Sequence, residues 1–303
     1  MIKVDRARVE VPKRVDLGDD TSKAREEFDK ALAALQAGTP FSSGDFKAYK
    51  SNTVRDRLIE LFHGKCAYCE NTHAASGDVD IEHFRPKTQV AENDDHPGYW
   101  WAAGDWTNLV MSCTHCNQNR SQEVIKFVPD DDSDDDPTIT IIKKTVGKLD
   151  AFPTLDDVWV TDHTVPLSDE NPVLIDPTIS DPETCLDYVF HANEFCTIYG
   201  KDVDGRGQGT IDILGLNRRK LTEARFMRQM TLNSYAAQVG RCLTEILTNP
   251  NPSDFVFNML EKTLEELNHE GDEDRQFAGM CRAFYNAQLD RVDQALGLAP
   301  IAD

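Results

Sequence analysis

Four cysteines stand in two Cys-x-x-Cys pairs, Cys66/Cys69 and Cys113/Cys116. Each pair presents two sulfurs from one tight turn, and two pairs complete the tetrahedral set that zinc prefers. Unligated thiols are the alternative. Four thiolates leave no position open for water, so zinc held there is structural and does no chemistry itself. The residues able to do chemistry lie between and beside the pairs. They are Asp80-Ile81-Glu82-His83-Phe84-Arg85-Pro86-Lys87, Asp105-Trp106-Thr107-Asn108-Leu109, and Cys113-Thr114-His115-Cys116-Asn117-Gln118-Asn119-Arg120. A lone histidine is usually a satisfied core residue. His83 follows an acid and is bracketed by the cysteine pairs, which argues for chemistry. Asp80, at period two from Glu82, shares a strand face with it, either supporting the site or solvated.

An acid followed by His, then Asn-Leu, then Cys-x-x-Cys-Asn-x-x-Arg, resembles the HNH nuclease superfamily from Cys66 to Arg120. The resemblance implies a general base at His83, taking a proton from the attacking water. It implies one catalytic cation held by Glu82 and Asn117. Asn117 stands where many relatives carry His, and an oxygen-rich pair favours Mg2+ or Mn2+ over Zn2+. Asn108 would orient the backbone of the loop bearing the base, and Arg120 and Arg85 would contact phosphate. Leu61-Phe62-His63-Gly64-Lys65-Cys66-Ala67-Tyr68-Cys69-Glu70, Asn171 to Pro177 and Ile213-Leu214-Gly215-Leu216-Asn217-Arg218 narrow the likeness. They resemble PtuB-type nuclease subunits of Septu and retron anti-phage defence systems. That implies a PtuA-like ATPase partner related to the SMC and ABC families.

Elements must position these groups. Helices are expected over residues 21–36 and 52–62, from apolar residues at helical spacing. A short strand is expected at 79–84 and an apolar run at 109–111. With a helix beginning near Asn117 and reaching toward Ile125, these form a hairpin with a metal-binding cleft. Further strands are expected at 138–143, 158–161 and 173–176, and long helices at 221–247, 254–267 and 275–296. The reading is α+β: an N-terminal helical region (1–62), an HNH module (63–128), an acidic loop (129–136), and a mixed, then helical, C-terminal region (137–303). Asp-Asp-Asp-Ser-Asp-Asp-Asp at 130–136 reads as a solvated insertion rather than a metal site. Tyr99, Trp100 and Trp101 read as packing residues more than base-stacking ones. His73 and His96 read as solvated, and His115 as a spacer with a phosphate contact as its alternative. Cys185, Cys196, Cys242 and Cys281 read as packing residues.

The chain has 32 basic and 53 acidic residues, a formal charge of −21. That makes it a poor solitary binder of nucleic acid unless a local patch or another subunit supplies the contacts; alternatively the charge only keeps it soluble. Phe226, Met227, Met230 and Leu232 are candidates for docking a partner or for core. No apolar run approaches the roughly 18 residues of a membrane span, and the first residues lack an apolar signal core, so the expectation is a cytoplasmic protein. The expected function is metal-dependent hydrolysis of phosphodiester bonds by an HNH endonuclease within an anti-phage complex. The rivals are a non-catalytic zinc module that binds nucleic acid or protein, and a stand-alone restriction-type nuclease.

Overall fold

The computed structural model describes residues 1–39, 42–72, 79–128, 138–192 and 194–298. The acidic loop (129–136) and His73 lie outside the described residues. The fold is mixed α+β, with small sheets set among helices.

The N-terminal helices form where expected. Helix α1 (Lys23–Gln36) is capped by the Ser22 hydroxyl, which accepts from the Arg25 N–H. Helix α2 (Asn52–Leu61) is capped the same way by Ser51, and buries Val54, Leu58 and Leu61 at spacings of four and three. Such caps satisfy donors that a helix start otherwise leaves orphaned. Between the helices, Glu27 is buried, and its Oε2 accepts from the N–H groups of Lys47 and Ala48, each at 2.9 Å. That carboxylate pins the short turn Ala48–Lys50.

Strands β1 (Val79–His83) and β2 (Leu109–Cys113) pair antiparallel, Val79 opposite Cys113 and His83 opposite Leu109. The short helix α3 (Thr114–Asn117) follows directly. The helix expected from Asn117 toward Ile125 does not form. The chain instead runs into strand β3 (Arg120–Val128), paired with β4 (Thr138–Val146) in a second hairpin. The strands expected at 158–161 and 173–176 are irregular; the ladder of this region is β5 (Leu186–Phe190) with β6 (Cys196–Gly200). Helix α4 (Arg206–Leu214) packs on β6. Helices α5 (Arg219–Thr248), α6 (Asp254–His269) and α7 (Ala278–Leu296) then form a bundle.

One buried apolar cluster runs from Met1 through Val54, Tyr68, Trp106 and Leu214 to Phe284. A smaller one, around Val239, Leu243, Leu260 and Val292, joins α5–α7. No helix among the described residues is long and apolar enough to cross a membrane.

Candidate active site

The cysteine pairs meet. Cys66, Cys69, Cys113 and Cys116 are all buried, and their sulfurs lie within 4.8 Å of one another. Cys69 Sγ is 3.8 Å from Cys113 Sγ, the edge of about 3.8 Å that a tetrahedron with Zn–S bonds of about 2.3 Å requires. The first pair docks beside β2: the Ala67 N–H donates to the Met111 carbonyl at 2.8 Å, and the Cys113 N–H donates to Cys66 Sγ at 3.4 Å. The buried Arg218 guanidinium reaches Cys116 Sγ at 3.5 Å and Cys113 Sγ at 3.8 Å. It also donates to the carbonyl of Gly215. A cation there offsets the negative charge that four thiolates build around a divalent ion. The cluster can therefore hold a metal such as zinc.

Beside it a cleft of about 550 Å3 is lined by Asp80, Ile81, Glu82 and His83 of β1, by Asn117 and Gln118 after the second cysteine pair, and by Tyr49, Lys50, Arg55, Lys87 and Asp150. The hairpin register and α3 thus bring Glu82, His83 and Asn117 to one cavity. His83 is buried, and its Nε2 lies 3.0 Å from the Ala103 carbonyl. A carbonyl only accepts, so Nε2 carries the proton and Nδ1 of the neutral ring is the free acceptor. Burial, with Lys87 and Lys148 nearby, pushes the His83 pKa down to about 3; the ring is neutral at physiological pH. Tyr49 packs edge-on against it, ring centroids 4.5 Å apart.

Glu82 is 6% exposed and pairs with Lys148 Nζ at 2.8 Å. Burial raises its pKa, and Lys148 and Lys87 oppose the rise. Lys148 is itself buried and also donates to the His83 carbonyl at 2.9 Å. Its N–H donates to the Cys116 carbonyl. One oxygen of Glu82 is thus engaged and the other remains. At Asn117 the Nδ2 donates to Asp80 Oδ2 at 3.0 Å, which leaves the amide oxygen as its unused end. The donors at the cleft are hard oxygens, the kind that suit Mg2+ or Mn2+.

Asn108 is buried at the foot of β2. Its Oδ1 accepts from the Arg85 N–H at 2.7 Å, and its Nδ2 donates to the carbonyls of Arg85 (3.0 Å) and Ala102 (3.1 Å). It staples both ends of the long insertion between β1 and β2. Arg85 does not reach the cleft: it is buried, its Nε pairs with Glu170 at 2.7 Å, and its Nη2 donates to the Leu167 carbonyl. Arg120 is exposed and touches the cleft only through Gln118, whose Oε1 accepts from it at 2.8 Å.

Tyr99, Trp100 and Trp101 are buried packing residues. His96 is not solvated but 3% exposed, with its Nε2 2.9 Å from the Val160 carbonyl. His115 is exposed. Cys185, Cys196, Cys242 and Cys281 are buried. Leu232 is core, Phe226 packs against the core, and Met227 and Met230 are exposed. Sequence reasoning missed Tyr49, Lys50, Arg55 and Lys148 as parts of the site. No local spacing ties them to the motif, and only Lys87 stood within it.

No family model matches the chain, and no solved structure matches it. Among curated proteins it is similar to the Septu protein PtuB of Bacillus mycoides (strain KBAB4), 27% identical over 295 residues. That similarity covers 92% of this chain and 88% of the relative. It is also 26% identical over 172 residues to the Septu protein PtuA of the same strain, covering 55% of this chain and 20% of that protein.

Proposed function

We propose that the chain is a metal-dependent HNH-type endonuclease, hydrolysing phosphodiester bonds of nucleic acid as the nuclease subunit of an anti-phage defence assembly. The observation that carries this reading is the meeting of Glu82, His83 and Asn117 at one cleft, with the Nε2 of His83 occupied by the Ala103 carbonyl. In the proposed reaction His83 Nδ1 takes the proton of the attacking water. The Ala103 carbonyl keeps the ring in the tautomer that can accept it. Glu82 and Asn117, with Asp80 beside them, would hold a single Mg2+ or Mn2+. Such an ion, when bound, supplies positive charge at the scissile phosphate and its leaving oxygen. Lys148 holds the carbonyl of the base itself, and Asn108 holds the backbone two residues after it. The four cysteines hold structural zinc.

The defence role and a PtuA-like ATPase partner belong to the same proposal. Their support is the likeness to Septu proteins over most of the chain, and the net charge of −21, which makes a second, more basic subunit useful for gripping a polyanion.

The Glu82–Lys148 pair favours a second reading, a non-catalytic zinc module, because it already engages one oxygen of Glu82 and balances its charge within the protein. One variant separates the two. H83A in the assembled complex should cut cleavage by at least about a hundredfold, the scale of a general-base contribution, with zinc content unchanged. Full cleavage by H83A overturns the nuclease assignment.

A further inference from the structure

Two lysines converge at the mouth of the cleft. Lys50 Nζ lies 5.5 Å and Lys87 Nζ 5.3 Å from the ring centroid of Tyr49. That ring is the one packed edge-on against His83. The lysines come from distant elements, Lys50 from the turn that buried Glu27 pins and Lys87 from the insertion after β1. Among the described residues neither has a carboxylate oxygen within 4.0 Å. The environment makes this unusual. The protein carries 53 acidic residues against 32 basic ones, and two other cations nearby are ion-paired, Lys148 with Glu82 and Arg85 with Glu170. Lys87 is also partly desolvated: burial lowers its pKa, Glu82 and Asp150 oppose the fall, and Lys50 and Lys148 add to it. Asp80, Glu82 and Asp150 line the same cleft, but none comes within ion-pair distance of either ammonium, so both keep donors free for an anionic ligand. Arg55 stands on the same cleft, its Nη1 donating to the Val79 carbonyl at 3.1 Å.

We propose that Lys50 and Lys87, converging over Tyr49, form a phosphate clamp that takes the sugar–phosphate backbone of a nucleic-acid strand and lays it against the wall bearing His83. Tyr49 spaces the two ammonium groups and offers its ring face to both. The clamp supplies the phosphate contacts that Arg85, locked on Glu170, does not. The identity of the anion rests on the nuclease reading; the anion site itself rests on the geometry.

The test is strand binding by the full-length, zinc-loaded chain without added magnesium or manganese. The probes are one labelled single-stranded sequence made as DNA and as RNA, with inorganic phosphate as competitor. The variant K50Q/K87Q removes two exposed or half-exposed charges and disturbs no core. It should bind both strands at least fivefold more weakly. Its plot of log affinity against log salt should be shallower by about 1.4, from about 0.7 per phosphate contact on a single strand. The control K30Q/K262Q removes the same charge from side chains 71% and 75% exposed on α1 and α6, and should change affinity less than twofold. Equal losses in the two double variants would mean that only net charge matters, and would overturn the clamp. So would wild-type chain that binds neither strand, or K50Q/K87Q with wild-type affinity and slope. Displacement by phosphate at low concentration would reassign the site to a free anion. If the clamp variant loses binding while H83A cleaves normally, the clamp stands and the nuclease reading falls.

Discussion

At the residue scale, Lys148 holds the site together from outside the motif. It is 65 positions from His83, whose carbonyl it binds, and its fully buried ammonium meets Glu82, which is almost wholly buried. Two buried charges cancel each other, so losing one is far worse than losing both. K148M should lower unfolding free energy by about 3–5 kcal/mol, the range for breaking a buried pair. E82Q/K148M should regain most of that loss, and urea denaturation of the two variants measures it. A double variant no more stable than K148M would mean the pair has little energetic weight. The contrast with Glu82, His83 and Asn117 is physical. Those three lie in the one segment that carries the cysteine pairs, so they could be singled out from it as candidates. Lys148 and Lys50 reach the cleft through tertiary packing, which leaves no local pattern. Arg85 shows the converse: its position in the segment suggested phosphate, but Glu170, 85 residues on, holds it in the interior.

At the scale of elements, long amphipathic helices were legible and short connections were not. The signals of α1, α2 and α5–α7 repeat over several turns, so their positions were expected to within a few residues. The helix expected after Asn117 failed because β4 pairs with that segment across the acidic run, Arg120 opposite Val146, and long-range pairing overrides a weak local signal. Helix α4 was missed because glycines interrupt its sequence. They are there for close packing: a Cβ at Gly207 would lie 2.2 Å from the Cys185 carbonyl oxygen. Gly147 has the same kind of function at the site. It has φ +130°, and a Cβ there would stand 2.0 Å from the Gln118 carbonyl oxygen. Its segment carries Lys148 and donates from Lys148 and Leu149 to the carbonyls of Cys116 and Asn117. G147A should therefore push β4's end away from α3, costing more than about 1 kcal/mol of stability and cleavage activity with it. Denaturation midpoints and cleavage assays on the same preparation check this; a G147A chain with wild-type values for both would show that the contact yields freely.

At the scale of the whole molecule, the four-cysteine cluster sits at a junction and not in a detachable module. Arg218, at the start of α5, touches two of its sulfurs. Glu70, immediately after the first pair, is buried, pairs with Lys65, and accepts from the N–H of Gly279 in α7. The apolar cluster from Met1 to Phe284 includes all four cysteines. Removing a bound ion would leave four buried thiols and a buried guanidinium without its counter-charge at the point where the N-terminal helices, the β1–β2 hairpin and the C-terminal bundle meet. Because metal-binding free energy is folding free energy where the site exists only in the folded chain, that strain should spread through the shared core. Chelation should release about one zinc per chain and lower the melting temperature by more than about 10 °C, the scale of a loss of several kcal/mol in a chain of this size. The helical circular-dichroism signal, dominated by α5–α7, should melt in the same single transition as tryptophan fluorescence, which reports on Trp100, Trp101, Trp106 and Trp159, all outside those helices. If the helical signal instead keeps its original midpoint while the fluorescence transition moves, the knot stabilises only its own neighbourhood, and the bundle folds independently of the metal.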